Sequence, residues 1–202
     1  PLYQEVILPN LCYIGGGGEI AYWLELKSFF DAVKITFPML LVRNSVLLVT
    51  EKQAKKADNL NLNWKDLFSK QDELINLKTK ELSEFPIDLI NLKQQLQKQF
   101  ESLYKITTQT DQSFAGAVKA QEKKQIKGLE NLEKRLLKAQ KIKLSDVLER
   151  ITDLQNELFP NQSLQERQAN FSEFYLESGE NLIPTLVQKL KPLNTNFEII
   201  IL

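Results

Sequence analysis

Histidine is absent from this sequence of 202 residues, and cysteine and methionine occur once each, as Cys12 and Met39. Without histidine the chain cannot by itself assemble a Ser-His-Asp or Cys-His catalytic set, nor a histidine-ligated zinc site; no metal site is expected. A single cysteine forbids an internal disulfide. No charge of either sign is in excess, with 26 basic and 26 acidic side chains, which argues against general nucleic-acid binding. Apolar runs stop well short of the ~20 residues that span a bilayer, and no basic-then-apolar signal segment opens the sequence. The expected setting is cytoplasmic, with no membrane partner. The sequence opens on Pro1, and Pro1 to Pro9 reads like the interior of an element bounded by prolines, so a piece of a longer polypeptide is expected.

What is present falls into three textures. Leu11-Cys12-Tyr13-Ile14 has the look of a short buried strand ending at Gly15-Gly16-Gly17-Gly18. From Glu19 apolar residues recur at helical spacing (Ile20, Trp23, Leu24, Phe30, Val33). Met39–Val42 and Val46–Val49 then predict two strands flanking Arg43-Asn44-Ser45. Strand, glycine turn, helix, strand is an α/β unit of the Rossmann type. Short amphipathic helices follow over 51–84, with Asn61 and Asn63 flanking a break and Trp64, Leu67 and Phe68 anchoring the next segment.

After Pro86 the spacing of Leu89, Leu92, Leu96, Phe100 and Leu103 predicts a long helix. Thr107–Gln112 is a turn of small polar residues, and Asp111 or Ser113 can cap the next helix. That helix is predicted from about Phe114 to Phe159, because no proline interrupts it before Pro160. At 1.5 Å per residue it would be ~70 Å long, and its stripe (Ile126, Leu129, Leu136, Val147, Ile151, Leu154, Leu158) slips in phase near Leu144. Such a stripe needs partner helices: the preceding segment in antiparallel sense, and a second chain. Nine cations between Lys119 and Lys143 face three acids, and their spread around the helix, without aromatics, predicts a solvated exterior. Residues 160–202 return to globular texture. Leu164, Phe171 and Phe174 are expected to face one way, and Ile183, Leu186, Val187 and Leu190 another, with a β-branched strand at Phe197–Leu202. The expected architecture is mostly helical. A partial Rossmann-type α/β body begins with residues 1–84, a long antiparallel coiled-coil hairpin is inserted over residues 85–159, and C-terminal helices and a strand over residues 160–202 pack back on the body.

Several residues could carry chemistry. Glycines between strand and helix allow close backbone approach to an anion at a helix N-terminus. Yet G-x-G-x-x-G is not matched, and no Lys-Ser/Thr follows as in a P-loop. The cluster is either a ligand-contacting loop or a turn needing positive φ, and Glu19 would repel phosphate unless it turns away as a capping acid. Arg43-Asn44-Ser45 could hold a carboxylate or phosphate, or be a polar turn. Gln165, Glu166, Arg167 and Asn170 could project toward the same body, or belong to a solvated helix with Leu164 and Phe171 in the core. Trp23 and Trp64 read as core, and Cys12 as a buried small hydrophobe.

Taken in order, Tyr13-Ile14-Gly15-Gly16-Gly17-Gly18-Glu19-Ile20-Ala21-Tyr22-Trp23, Arg43-Asn44-Ser45, Phe114-Ala115-Gly116-Ala117-Val118, Leu129-Glu130-Asn131-Leu132-Glu133-Lys134-Arg135-Leu136-Leu137, Leu158-Phe159-Pro160-Asn161 and Leu164-Gln165-Glu166-Arg167 resemble the C-terminal part of the BshC-type cysteine ligases of bacillithiol biosynthesis. The resemblance covers essentially the whole chain. It implies a Rossmann-type core related to nucleotidyl-transferring ligases and a long coiled coil that makes a homodimer. The implied reaction is the addition of cysteine to glucosaminyl-malate as an amide, with a nucleotide (ATP or ADP) as cofactor. The implied binding positions are Gly15, Gly16, Gly17, Gly18, Glu19, Trp23, Arg43, Asn44, Ser45, Gln165, Arg167 and Asn170; none is assigned as catalytic base. Gly17 stands where the family loop is expected to carry proline. The family's earlier Rossmann half is expected to lie outside this sequence, which would leave the piece inactive alone. The other reading of the same features is a non-enzymatic dimerisation scaffold built on the helical hairpin.

Overall fold

The computed structural model describes all 202 residues, Pro1–Leu202. The chain opens with α1 (Leu2–Ile7), β1 (Cys12–Gly15), α2 (Gly17–Glu25), α3 (Lys27–Ala32), β2 (Met39–Val42) and β3 (Val46–Val49). Six helices follow: α4 (Glu51–Asn59), α5 (Trp64–Leu67), α6 (Gln71–Glu81), α7 (Ile90–Thr107), α8 (Gln112–Lys143) and α9 (Ser145–Leu158). A 3-10 turn at Pro160–Gln162 leads to α10 (Gln165–Gln168), α11 (Phe171–Ser178), a second such turn, α12 (Leu182–Lys189) and β4 (Glu198–Ile201). Two compact units result, one from Pro1–Lys55 with Glu157–Leu202, the other from Lys56–Asn156.

In the first unit the strands form two separate parallel pairs. β1 runs beside β2 with Cys12 opposite Met39 and Gly15 opposite Val42, and α2 and α3 make the crossover that a parallel pair requires. The segment 20–33, read as one helical run, divides at Leu26, whose N–H turns back to the Trp23 carbonyl at 3.0 Å. An aromatic cluster packs against this strand pair. Trp23, only 3% exposed, stacks on Tyr13 at 4.2 Å between centroids, and the fully buried Phe30 meets Phe37 edge-on at 5.1 Å. The proline-bounded opening segment is α1, and its buried Glu5 accepts hydrogen bonds from the backbone and side-chain amides of Asn10, both at 2.8 Å.

β3 pairs with β4 over Val46–Glu198 to Val49–Ile201. Leu48, Ile200 and Leu182 form the core here, with Phe174, Leu186 and Leu190 packed against it. This corrects two expectations. Leu164 and Phe171, read as core, are exposed, as are Ile183 and Val187. Along α12 and its C-cap the inward stripe is Leu182, Leu186 and the cap residue Leu190, at steps of four; Ile183 and Val187 lie ~100° further round and face solvent.

The second unit is helical. Asn61 takes positive φ, 52°, after α4, and Asn63 caps α5 by accepting from the Lys65 N–H at 3.1 Å. Leu67, Leu74, Ile151 and Leu154 are buried. Lys78 is also buried, its ammonium donating to the Asn61 carbonyl (3.1 Å) and Glu81 (2.7 Å) with Asp66 at 3.6 Å. The sequence put 51–84 with the α/β body; instead α5 and α6 fall in the unit of α7 and α8, because α5 packs on α6 and α6 on α8.

Lys93 meets Glu133 and Tyr104 meets Glu122, so positions advance on α7 as they retreat on α8 and the two helices are antiparallel. Asp111 caps α8, accepting from the Ser113 N–H at 2.9 Å. The hydrogen bond from Lys93 holds the Glu133 carboxyl below its usual range, and the bond to Glu122 pushes the Tyr104 phenol up. The predicted unbroken helix from Phe114 to Phe159 is corrected: it stops at Leu144 (φ −100°, ψ 14°) and resumes at Ser145. The break falls where the apolar stripe slips in phase. α8 alone, with 32 residues, spans ~48 Å.

Candidate functional site

The parallel register of β1 and β2 sets Gly15 beside Val42, so the next residues, Gly16 and Arg43, emerge together at the carboxyl ends of the strands. In open α/β sheets this is the edge at which ligands bind. The Arg43 N–H donates to the Gly15 carbonyl at 2.9 Å, extending the ladder by one rung. Its guanidinium then lies over Gly16 so closely that a methyl group on that residue would touch it at 3.5 Å. Arg43 is exposed, so its donors remain available to an anion.

The four glycines differ, and only Gly15 is required by its surroundings to be glycine. At Gly15 a Cβ would come within 2.8 Å of the Tyr13 ring and 3.2 Å of Glu19, so only glycine fits. Gly16 is the N-cap of α2 with extended backbone, φ −69° and ψ 163°. Gly17 and Gly18 have open space around them and supply the first-turn N–H groups that a helix leaves unpaired. None of the four has positive φ, so the reading of a turn that needs it is corrected. Glu19 reaches back to accept from the Gly16 N–H at 2.7 Å. It is the capping acid, and its charge is spent on the helix start.

Most of the remaining sequence-derived positions hold the fold. Trp23 is core. Asn44 donates from its side-chain amide to the Lys191 and Asn194 carbonyls at 3.0 and 3.2 Å, and the Ser45 carbonyl accepts from the Glu198 N–H at 3.0 Å. Gln165, 6% exposed, bonds with its one amide to both the N–H (2.9 Å) and the carbonyl (3.0 Å) of Leu48. Arg167 lies on α10 beside Glu166, with 4.0 Å between Nε and the carboxylate. Asn170 caps α11, accepting from the Ser172 N–H at 3.0 Å. The structure therefore brings together Gly15 to Glu19 and Arg43; Gln165 serves β3 and Asn170 the start of α11, while Arg167 stays exposed on α10.

Sequence reasoning missed a second place. Where β3 and β4 end, a cavity of about 600 Å³ is lined by Thr50, Ser178, Asn181, Lys189 and the last residues of the chain, among others. A smaller hollow of about 150 Å³ shares Thr50 and Glu177 with it and adds Gln165. Thr50 and Gln53 cap α4 reciprocally, at 3.0 and 3.2 Å. The signal was present: Thr50-Glu51-Lys52-Gln53 after an apolar strand is a capping-box pattern, marking a strand-to-helix turn. No group of three His, Cys, Asp or Glu side chains is placed to hold a metal ion, and no helix is long and apolar enough to cross a membrane.

Comparison with known proteins falls into two adjoining matches. Residues 46–202 match the family model described as Bacillithiol biosynthesis BshC, C-terminal coiled-coil domain, and residues 1–44 match its N-terminal Rossmann-like domain. Over 200 residues the chain is 74% identical to a Flavobacterium johnsoniae protein named "Putative cysteine ligase BshC", covering 99% of this chain and 38% of that protein. Proteins of the same name are 62% identical in Christiangramia forsetii, covering 99% of this chain and 37% of the relative, and 30% identical in Cytophaga hutchinsonii, covering 98% and 38%. The chain thus spans under two fifths of the length of these relatives.

Proposed function

Because the chain belongs to the BshC family of bacillithiol biosynthesis, we propose that it is a portion of a cysteine ligase that joins cysteine to glucosaminyl-malate through an amide bond, in the cytoplasm. The observation that carries the reading is the pair of family matches meeting at residues 44 and 46, the connector that sets Arg43 over Gly16. Amide formation requires an activated carboxylate and an amine held beside it, so orientation and anion stabilisation dominate. In this reading Arg43 and the first-turn N–H groups of Gly17 and Gly18 hold a carboxylate of the substrate. A nucleotide, ATP or ADP, is the proposed cofactor, and bound it would supply the group that makes the carboxylate an acylating agent. The cavity beside Thr50 has the volume of a small-ligand site, and Thr50, Ser178, Asn181 and Lys189 offer donors for it.

The same reading makes this piece inactive alone. Around the first β pair, Leu11 is 87%, Ile14 61% and Met39 68% exposed, although parallel sheets are normally covered on both faces. We take the remaining length of the protein to cover them. A homodimer through the helical pair is proposed on similar grounds: Leu132 is 53% exposed beside an apolar groove lined by Leu96, Gly128 and Leu129. A bare scaffold has no use for Arg43 placed over Gly16, so the scaffold reading is not favoured.

The test is to assay the full-length protein for a cysteine adduct of glucosaminyl-malate, with Arg43→Ala beside it. Loss of product in the variant is the expected outcome. Full activity would remove Arg43 from the site, and absence of product in the wild-type protein with either nucleotide would remove the ligase reading. Light scattering showing a monomer at micromolar concentration would remove the dimer.

A further inference from the structure

We propose that Asn44 is a positioning residue for Arg43: its side-chain amide clasps the loop at Lys191 and Asn194, and so fixes the guanidinium over Gly16. The proposal rests on the reading of Arg43 as the anion holder. Only three residues, 43–45, join β2 to β3. At one end the Arg43 N–H is tied to the Gly15 carbonyl at 2.9 Å, and at the other the Ser45 carbonyl is tied to the Glu198 N–H at 3.0 Å. Between these rungs the connector has no ladder partner, and both donors of the Asn44 amide close on carbonyls of one loop.

That loop is itself braced. The Asn194 N–H donates to the Lys191 carbonyl at 2.9 Å, its side-chain oxygen accepts from the Asn196 N–H at 3.1 Å, and its side-chain amide donates to Glu198. Glu198 is also the residue whose N–H meets Ser45. Asn44, the loop, Glu198 and Ser45 therefore form a closed hydrogen-bonded ring that begins at the residue next to Arg43. An exposed arginine has several rotatable bonds and loses entropy on being fixed. Holding the backbone from which it springs lowers the share of that cost borne on binding. The clasp joins segments about 150 residues apart in sequence, as Asn44 and Asn194 are, so local turn preference does not account for it.

The experiment is a double-mutant cycle in the full-length protein, reading affinity for glucosaminyl-malate by calorimetry, with hydrogen exchange over 191–196 as a second measurement. Arg43→Ala is expected to weaken binding about tenfold or more, as loss of a charge-assisted contact does. Asn44→Ala should weaken it by roughly threefold to tenfold, a loss on the scale of one or two hydrogen bonds, and speed exchange in the loop. The double variant should bind no more weakly than Arg43→Ala alone, because the clasp acts only through the arginine. Asn44→Gln, which keeps both donors, should recover some of the affinity. Asn44→Ala binding like wild type while Arg43→Ala is impaired would overturn the proposal and leave the anion-holder reading standing. Additive losses in the double variant would do the same, since Asn44 would then act independently. Wild-type affinity in Arg43→Ala would overturn both.

Discussion

The two parallel strand pairs of the first unit are both largely apolar in sequence but differ in how far they are covered. In β3, Leu47 and Val49 are fully buried and Leu48 is 7% exposed; in β1 and β2, Ile14 and Met39 are more than half exposed. β3 is covered by α10, α11, α12 and the side chain of Gln165, whereas β1 and β2 have one aromatic cluster against them. The difference shows that apolar strand residues do not by themselves mark a core: what counts is whether the chain supplies a second layer. The less covered pair carries Arg43, exposed over Gly16 and proposed as the anion holder. The well-covered pair opens instead onto a cavity.

The sharpest way to test that contrast is to truncate one residue in each pair. Leu47→Ala should destabilise this chain by about 2–5 kcal/mol, as for other buried leucines, whereas Ile14→Ala should stay within about 0.5 kcal/mol. Urea melts of the two variants decide it, and an equal loss would break the comparison. In the full-length protein Ile14→Ala is expected to become costly, on the order of 2 kcal/mol or more, if the missing layer lies in the rest of the protein.

A smaller effect is expected at the edge of the covered pair. Gln165→Leu keeps the bulk but strands the N–H and carbonyl of Leu48, at a cost of about 1–3 kcal/mol. A melting temperature unchanged by that substitution would show that solvent reaches the strand and that its cover is loose. The smallest effect serves as a control in the other unit. Glu133 has its carboxyl held down by Lys93, so its contribution is present at neutral pH and is lost as the pH falls through that lowered value. Glu133→Gln should flatten the acid limb of helix stability slightly, measured by circular dichroism, and leave both strand pairs unaffected.

Much of this was legible in the sequence. The strands at 12–15, 39–42, 46–49 and 198–201 and the turn after Thr107 follow from apolar runs and capping residues. The inward face of α12 did not, because Ile183, Leu186, Val187 and Leu190 are equally apolar and only packing on Leu48 and Ile200 selects Leu182, Leu186 and Leu190. The long helix was drawn through Leu144 because no proline marks the break; the slip in phase was its only trace. At the candidate site, the predicted strand ends put Gly16 and Arg43 at the positions where the structure sets them side by side. The roles of Gln165 and Asn44 depend on partners 117 and 147 residues away, which no local pattern encodes.

The amide of Gln165 has one consequence beyond stability. By bonding both polar groups of Leu48 it imitates a neighbouring strand for a single rung, on the side of β3 away from β4. A bare edge there would be a template on which a strand from another molecule could add. One glutamine, delivered by a four-residue helix, blocks that rung against intermolecular sheet growth.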